Sequence, residues 1–263
     1  MRERVRRDRP RPWQEQRLTA RPRWALPFYK VEWWLSWTSW ALGHWALLEV
    51  LEHLGTLSVL VAVVFYFYER GERIQQRHYQ AWQVINTAQG RGGNGGRVDA
   101  LQELNRDHVS LTGVDASEAF LQGIHLEHAE LSRCDLHAAD LRNGDLRGAK
   151  LDFCNLRDAN LRAADLSGAD LRDAAMQDVD LNGADLERVN LEHADLTNTD
   201  LRYANAVNLG WQKIDSMKLA NIYGIKGAST EFVTFAQAHG AVSIESDEQW
   251  NILLRAASSE RAP

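Results

Sequence analysis

The chain has 263 residues, 44% of them hydrophobic, and a net charge of −6, which suits one or two ordinary folded domains. Two cysteines, Cys134 and Cys154, exclude a disulfide-rich scaffold, and the basic start is not followed by a short apolar stretch with a small-residue cleavage site, so no secretory signal is expected. The small net charge hides a segregation. Residues 1–30 carry ten Lys/Arg against three acids, residues 31–68 carry no Lys or Arg, and residues 109–208 carry nine Lys/Arg against nineteen Asp/Glu.

Residues 1–30, with four prolines, read as a disordered basic arm. Such an arm is either a solvated tail or an attachment to an anionic membrane surface, where each basic residue contributes on the order of 1 kcal/mol. Residues 31–68 follow as a Trp-rich amphipathic and transmembrane element. Trp33, Trp37 and Trp40 fall on one helical face with His44 and Leu47 or Leu48, a pattern suited to the headgroup region. The uncharged run Leu54–Tyr68 has fifteen residues and rises only about 22 Å, short of a ~30 Å hydrocarbon core. Extension back to Trp45 makes it long enough to cross, and Phe65, Tyr66, Phe67 and Tyr68 make an interfacial belt.

The expected anchor is therefore Trp33, Trp37, Trp40, Trp45 and Phe65–Tyr68 in a single pass of a bacterial cytoplasmic membrane. Competing readings are a re-entrant hairpin turning at Glu49–Gly55 and a buried soluble helix pair. Orientation stays open: the basic arm argues for a cytoplasmic N-terminus, whereas Arg70, Arg73 and Arg77 just after Tyr68 argue the opposite.

Residues 69–96 read as a juxtamembrane helix followed by a flexible Gly-rich joint, Gly90–Gly96. A phosphate loop is excluded there, because no strand precedes it and no Gly-Lys-Ser/Thr follows. A short helix from Arg97 is expected to cover the open end of what comes next.

From Leu121 to Leu201 leucine recurs every fifth residue, with Met176 substituting once. Five residues advance a helix by about 500°, and an odd spacing alternates faces in a strand, so no straight element keeps these leucines together. The chain must turn once per unit and stack on itself. Two residues before each leucine stands a small residue, as at Ala139, Gly144 and Ala169. Immediately before it usually stands Asp or Asn, as at Asp140, Asn155, Asp165 and Asp170.

Units such as Ala169-Asp170-Leu171-Arg172-Asp173 resemble the pentapeptide-repeat family, whose unit is A(D/N)LXX, over the hundred residues from Val109 to Asn208. That resemblance implies an all-β, right-handed quadrilateral β-helix over 97–228, with an N-terminal α-helical membrane segment and a C-terminal cap over 229–263. Leucine and the small residue point inward, and five coils stack to about 24 Å. Residues twenty apart lie one above the other. Cys134 and Cys154 are such a pair and read first as two stacked core thiols, since a rung spacing of about 4.8 Å exceeds the usual disulfide Cβ separation of about 3.8 Å, with a disulfide or metal site as the second reading. Outward positions give a candidate partner surface: Phe120, Arg142, Phe153, Arg162, Arg202 and Tyr203.

Beyond Asn208 the beat slips, with Leu209, Ile214 and Leu219 continuing a degenerate coil. Thr230–His239 reads as a helix, and Ser246 opens another through a capping box. That last helix caps the solenoid, with a homodimer contact as its second use.

No catalytic set, cofactor motif or metal-ligand spacing occurs, and a filled coil offers no pocket, so an enzyme is not expected and no cofactor or metal is assigned. The first functional reading is a non-enzymatic, membrane-anchored scaffold or protein–protein interaction module, with the lipid bilayer and an unknown protein as partners. The alternative implied by the resemblance is an acidic, DNA-mimicking rod acting on gyrase or another nucleic-acid-binding protein; nucleic acid itself is an unlikely partner. A third is an accessory subunit of a membrane complex.

Overall fold

Each five-residue unit has five backbone amides to satisfy. A computed structural model of the chain, describing residues 9–19, 26–43, 46–87 and 95–259, shows where each one goes. In the unit Ala139–Asn143, Asp140 N–H donates to Ala119 O of the preceding coil at 2.9 Å. Leu141 and Asn143 donate to Asn160 O and Arg162 O of the following coil at 2.7 and 3.0 Å. Ala139 closes a turn onto Leu136 O at 3.0 Å. The fifth amide, Arg142 N–H, is accepted by the Asp140 carboxylate at 3.3 Å. The same side-chain bond serves Ser167 from Asp165, Glu187 from Asp185 and Glu192 from Asn190. This is why Asp or Asn precedes the leucine: the turn strands one donor, and a short side-chain acceptor two residues back reaches it.

Asp165→Ala should therefore cost about 1 kcal/mol in urea unfolding while Asp165→Asn costs under about 0.5. Equal losses for the two variants would remove this account of the motif.

The turns place their third residue at positive φ, as at Asn143 (56°), Phe153 (58°) and Tyr203 (61°), the pattern of a type II turn. Parallel bridges from Asp115↔Asp135 to Asn190↔Gly210 all join residues twenty apart, which makes four units to a coil. Only one residue per side bridges before the chain turns again, so the β-structure consists of isolated bridges. Among the described residues no longer strand forms. The expected β-helix is thus built of single-residue rungs, and the described residues also form six α-helices. Leu121 through Leu201, with Met176, fill the core at 2% exposure or less.

Two compact units divide the chain, Met1–Arg73 and Ile74–Pro263. In the first, α1 (Trp13–Thr19) packs on α2 (Leu26–Gly43). The arm expected to be disordered thus contains a helix and supplies the start of a second. The cause is apolar contact: Trp13 lies 6.0 Å from Trp33, and the Trp33 indole N–H donates to Arg11 O at 2.9 Å.

Helix α3 (Ala46–Thr87) runs unbroken through residues 49–55, where the hairpin reading required a turn, and continues past residue 69 to Thr87. Every side chain from Leu54 to Tyr68 is exposed, so the buried helix pair is not what forms.

In the second unit the end of α3 helps close the solenoid. Ala81 and Ile85 are buried alongside Ala100, Leu101 and Leu104 of α4 (Arg97–Arg106). His78 joins Asp107 at 2.7 Å, and that hydrogen bond holds the Asp107 carboxyl below its ordinary range. The Gly-rich joint falls outside the described residues except for Gly95 and Gly96; Gly96 precedes α4 at φ 83°.

At the other end, bridges from Asp195↔Ser216 onward join residues twenty-one apart. One inserted residue shifts the phase, so Met217 and Ile222 take the central inward positions. Leu219, expected inward, stands instead in a turn at φ 60°. Helix α5 (Thr230–Ala238) starts at Ser229, whose hydroxyl accepts from Phe232 N–H, and buries Phe232 and Ala236. Helix α6 (Asp247–Ser259) buries Trp250, whose indole N–H donates to Leu219 O at 3.0 Å.

Candidate interaction surfaces

Residues twenty apart share a side of the coil and residues ten apart lie on opposite sides. Phe120, Arg142, Arg162 and Tyr203 therefore share one side, and Phe153 stands on the opposite one. The structure does not gather the six candidates into one patch. Phe120 is 57% exposed, Phe153 55% and Tyr203 40%. Phe153 lies under the Arg133 guanidinium at 5.9 Å, and Tyr203 makes an edge contact with Tyr223 at 5.8 Å.

Arg202 is a correction. It sits at an outward position of the repeat yet is only 7% exposed, because the chain around α6 folds over it. Its guanidinium holds Asp200 through two nitrogens at 2.9 and 2.6 Å, donates to Glu245 O at 3.0 Å and meets Asp247 at 2.5 Å. It also lies 5.4 Å from the Trp250 ring. The Asp200 hydrogen bond pushes the guanidinium further into its charged form. Arg202 is a tether for the cap, not a free contact residue.

Among the anchor residues, Trp33, Trp37 and Trp40 form an aromatic row at 6.1 and 5.7 Å, and Arg9 lies over Trp37 and Trp40 at 5.1 and 5.8 Å. Phe65, Tyr66, Phe67 and Tyr68 are all at least 60% exposed. Trp45 falls outside the described residues.

The acidic columns are interleaved with arginine. Asp140–Arg142, Asp145–Arg147 and Asp170–Arg172 pair at 2.6, 2.7 and 2.7 Å, and Arg147 also reaches Glu127. Hydrogen bonds from Arg142 and Arg172 hold the Asp140 and Asp170 carboxyls below their ordinary range. A carboxyl whose folded pKa is depressed stabilises the fold above its unfolded pKa and loses that contribution as pH falls through the folded one. Stability should thus be flat from neutrality to about pH 5 and fall below about pH 4. A melting temperature that rises between pH 5 and pH 3 would contradict this.

Cys134 and Cys154, expected as separate thiols, are joined as a disulfide across adjacent coils, with Cα atoms 4.7 Å apart. The expectation compared rung spacing with a Cβ separation. The Cα distance is the relevant one, and it falls inside the range that disulfides span.

One recess was not anticipated. Trp211 occupies the central position of its unit, where leucine stands elsewhere, and is only half-buried. With Thr230, Glu231, Thr234, Phe235, Ala238 and His239 it lines a wide-open recess of about 470 Å³. Trp211 and Phe235 are 5.0 Å apart, and Phe235 stacks on His239 at 3.8 Å. The Phe235 carbonyl accepts from His239 Nδ1 at 2.8 Å. The signal in the sequence was a tryptophan standing on the leucine beat. Among the described residues no group of three or more His, Cys, Asp or Glu is placed to hold a metal ion.

Residues 110–148, 145–178 and 175–208 match the family model for pentapeptide repeats, in eight copies. Solved structures similar to the chain include HetL of Nostoc sp. strain PCC 7120, a pentapeptide repeat protein involved in heterocyst differentiation regulation. It is 36% identical over 43% of this chain and 48% of that one, with a TM-score of 0.37. A pentapeptide repeat protein of the Arabidopsis thaliana thylakoid lumen is 26% identical over 35% of this chain and 68% of its own, with a TM-score of 0.24. QnrB1, a plasmid-mediated fluoroquinolone resistance protein, is 16% identical over 57% of this chain and 83% of its own, with a TM-score of 0.31. The chain spans about half the length of HetL. No curated protein matches its sequence. Residues 110–208 are therefore a run of pentapeptide repeats, most units carrying Asp or Asn before the central residue and closing on their neighbours through the same bonds.

Proposed function

We propose that the protein is a non-enzymatic, membrane-anchored interaction module: a β-helix that offers its outer sides to a protein partner while α2 and α3 hold the bilayer. The carrying observation is the run Leu54–Tyr68, uncharged and exposed along its whole length on one helix. An exposed apolar surface of that extent is costly in water and stable in hydrocarbon. Helix α3 continues past Tyr68 to Thr87, so the residues that close the first coil follow the apolar run without a break in the helix. The core of the coil is filled with aliphatic side chains, which leaves its outer sides for recognition.

The DNA-mimic alternative needs uninterrupted columns of negative charge. Here Asp140, Asp145 and Asp170 are each paired with an arginine two residues on, which favours the scaffold reading. A homodimer through α6, where Ile252 and Leu253 are 59% and 39% exposed, is compatible with it. The test is fractionation of cells expressing the full chain. The protein should sediment with membranes and resist alkaline carbonate. Release into the soluble fraction would end the anchor, and inhibition of supercoiling by the full chain in detergent at micromolar concentration would favour the mimic.

A further inference from the structure

The recess beside α5 has a specific chemistry. Its walls are the Trp211 and Phe235 rings, with His239 stacked on Phe235, and its lining is mostly apolar, with Ala238 and the methyl-bearing Thr230 and Thr234 on the helical face. One carboxylate, exposed Glu231, stands at the rim in the first turn of α5. A bond from its own backbone amide and one from the Ser229 hydroxyl hold that carboxyl below its ordinary range, so it is charged at neutral pH.

Aromatic faces with a single anion at the edge are complementary to a cation on an apolar stem. The ring quadrupole attracts the charge, the walls cover the methylenes, and the carboxylate takes the head. Arginine suits such a shelf better than lysine, because a planar guanidinium stacks on rings and gives up its water more readily.

The same chain shows that pairing elsewhere. Arg133 lies over Phe153 and Arg202 over Trp250. The Trp211–Phe235 shelf carries no such arginine among the described residues. The 109–208 tract beside it, with nineteen acids against nine bases, draws basic segments.

We infer that the Trp211–Phe235–Glu231 recess is an anchor site for an arginine side chain projecting from a basic segment of a protein partner. This rests on reading the rod as an interaction module and names the class of partner that this end of it takes.

The test follows the indole resonances of the ¹⁵N-tryptophan-labelled full chain in detergent, with Trp211→Phe identifying the relevant peak. The probe is N-acetyl-arginine methylamide, and the comparison is the citrulline compound, which keeps the shape and loses the charge. The arginine probe should shift the Trp211 resonance saturably. Citrulline should shift it less than a third as far, and Glu231→Gln should weaken the arginine probe about threefold. The Glu231 side chain is exposed, so that variant should fold irrespective of the fate of Trp211→Phe. No shift at about 50 mM probe, equal shifts from both compounds, or indifference to Glu231→Gln each overturns the site. If the chain still resists carbonate extraction and still co-purifies with a partner, the module reading stands and the recess is merely packing.

Discussion

Arg202→Ala should lower the stability of the repeat domain by about 3–5 kcal/mol, because it leaves the Asp200 carboxylate, 5% exposed, without the cation that neutralises it. Only the Asp200 pair contributes at that level. The Asp247 side chain is 76% exposed, and a pair with so wet a partner adds little. The loss should have a local signature, since Arg202 also holds Glu245 O and underlies Trp250. The amides of α6 should exchange quickly while those of the coils between Leu131 and Gly168 stay protected, as expected of a solenoid whose interactions run between neighbours. Replacing both partners, Asp200→Asn with Arg202→Met, should recover part of the loss, because the lone charge rather than the absent pair is the main cost. If Arg202→Ala costs under about 1 kcal/mol by urea unfolding, or leaves α6 exchange unchanged, the tether has been misread.

How Arg202 comes to be inside shows where sequence reading stops. The period of five identified the buried columns, because period and burial are the same fact in a coil that turns once per unit. Leu141, Leu161 and Leu181 had to be inward, and they are. The same logic assigned the fourth position of each unit outward, Arg202 included. That holds until another part of the chain covers the site, and the covering segment lies more than forty residues further on. Leu219 failed for a different reason. A single inserted residue moves the inward phase to Met217 and Ile222, and nothing in the composition of 209–219 marks where the insertion falls.

The preference for Asp and Asn before leucine was visible in the sequence. Its cause, an amide that the turn leaves without a backbone acceptor, became visible only once the other four amides had partners. Of the candidate surface, exposure was legible for Phe120, Phe153 and Tyr203 because their positions face outward. The recess was not, since it needs α5 to come back beside Trp211.

Leu161→Ala should cost about 3–5 kcal/mol, the upper part of the range for such changes, because this site cannot close around the missing atoms. Leu161 is fully buried, with Leu141 and Leu181 stacked one coil before and one coil after it. A bundle of helices can shift to fill a void. Here the rung spacing is set by main-chain bonds on both sides of the leucine: Leu141 N–H to Asn160 O at 2.7 Å and Leu161 N–H to Asp180 O at 2.8 Å. Shrinking the void would mean stretching those bonds, so the cavity persists and its full penalty is paid. Met176 offers the contrast. It stands on the same beat, also fully buried, so the coil already accepts an unbranched chain there, and Met176→Leu should change stability by less than about 1.5 kcal/mol in either direction. Urea unfolding of the two variants separates the possibilities. If Leu161→Ala and Met176→Leu give similar small losses, the coils are held by their ladder of hydrogen bonds and the aliphatic column is filler; a large loss for the first alone means that the column sets the stability of the rod.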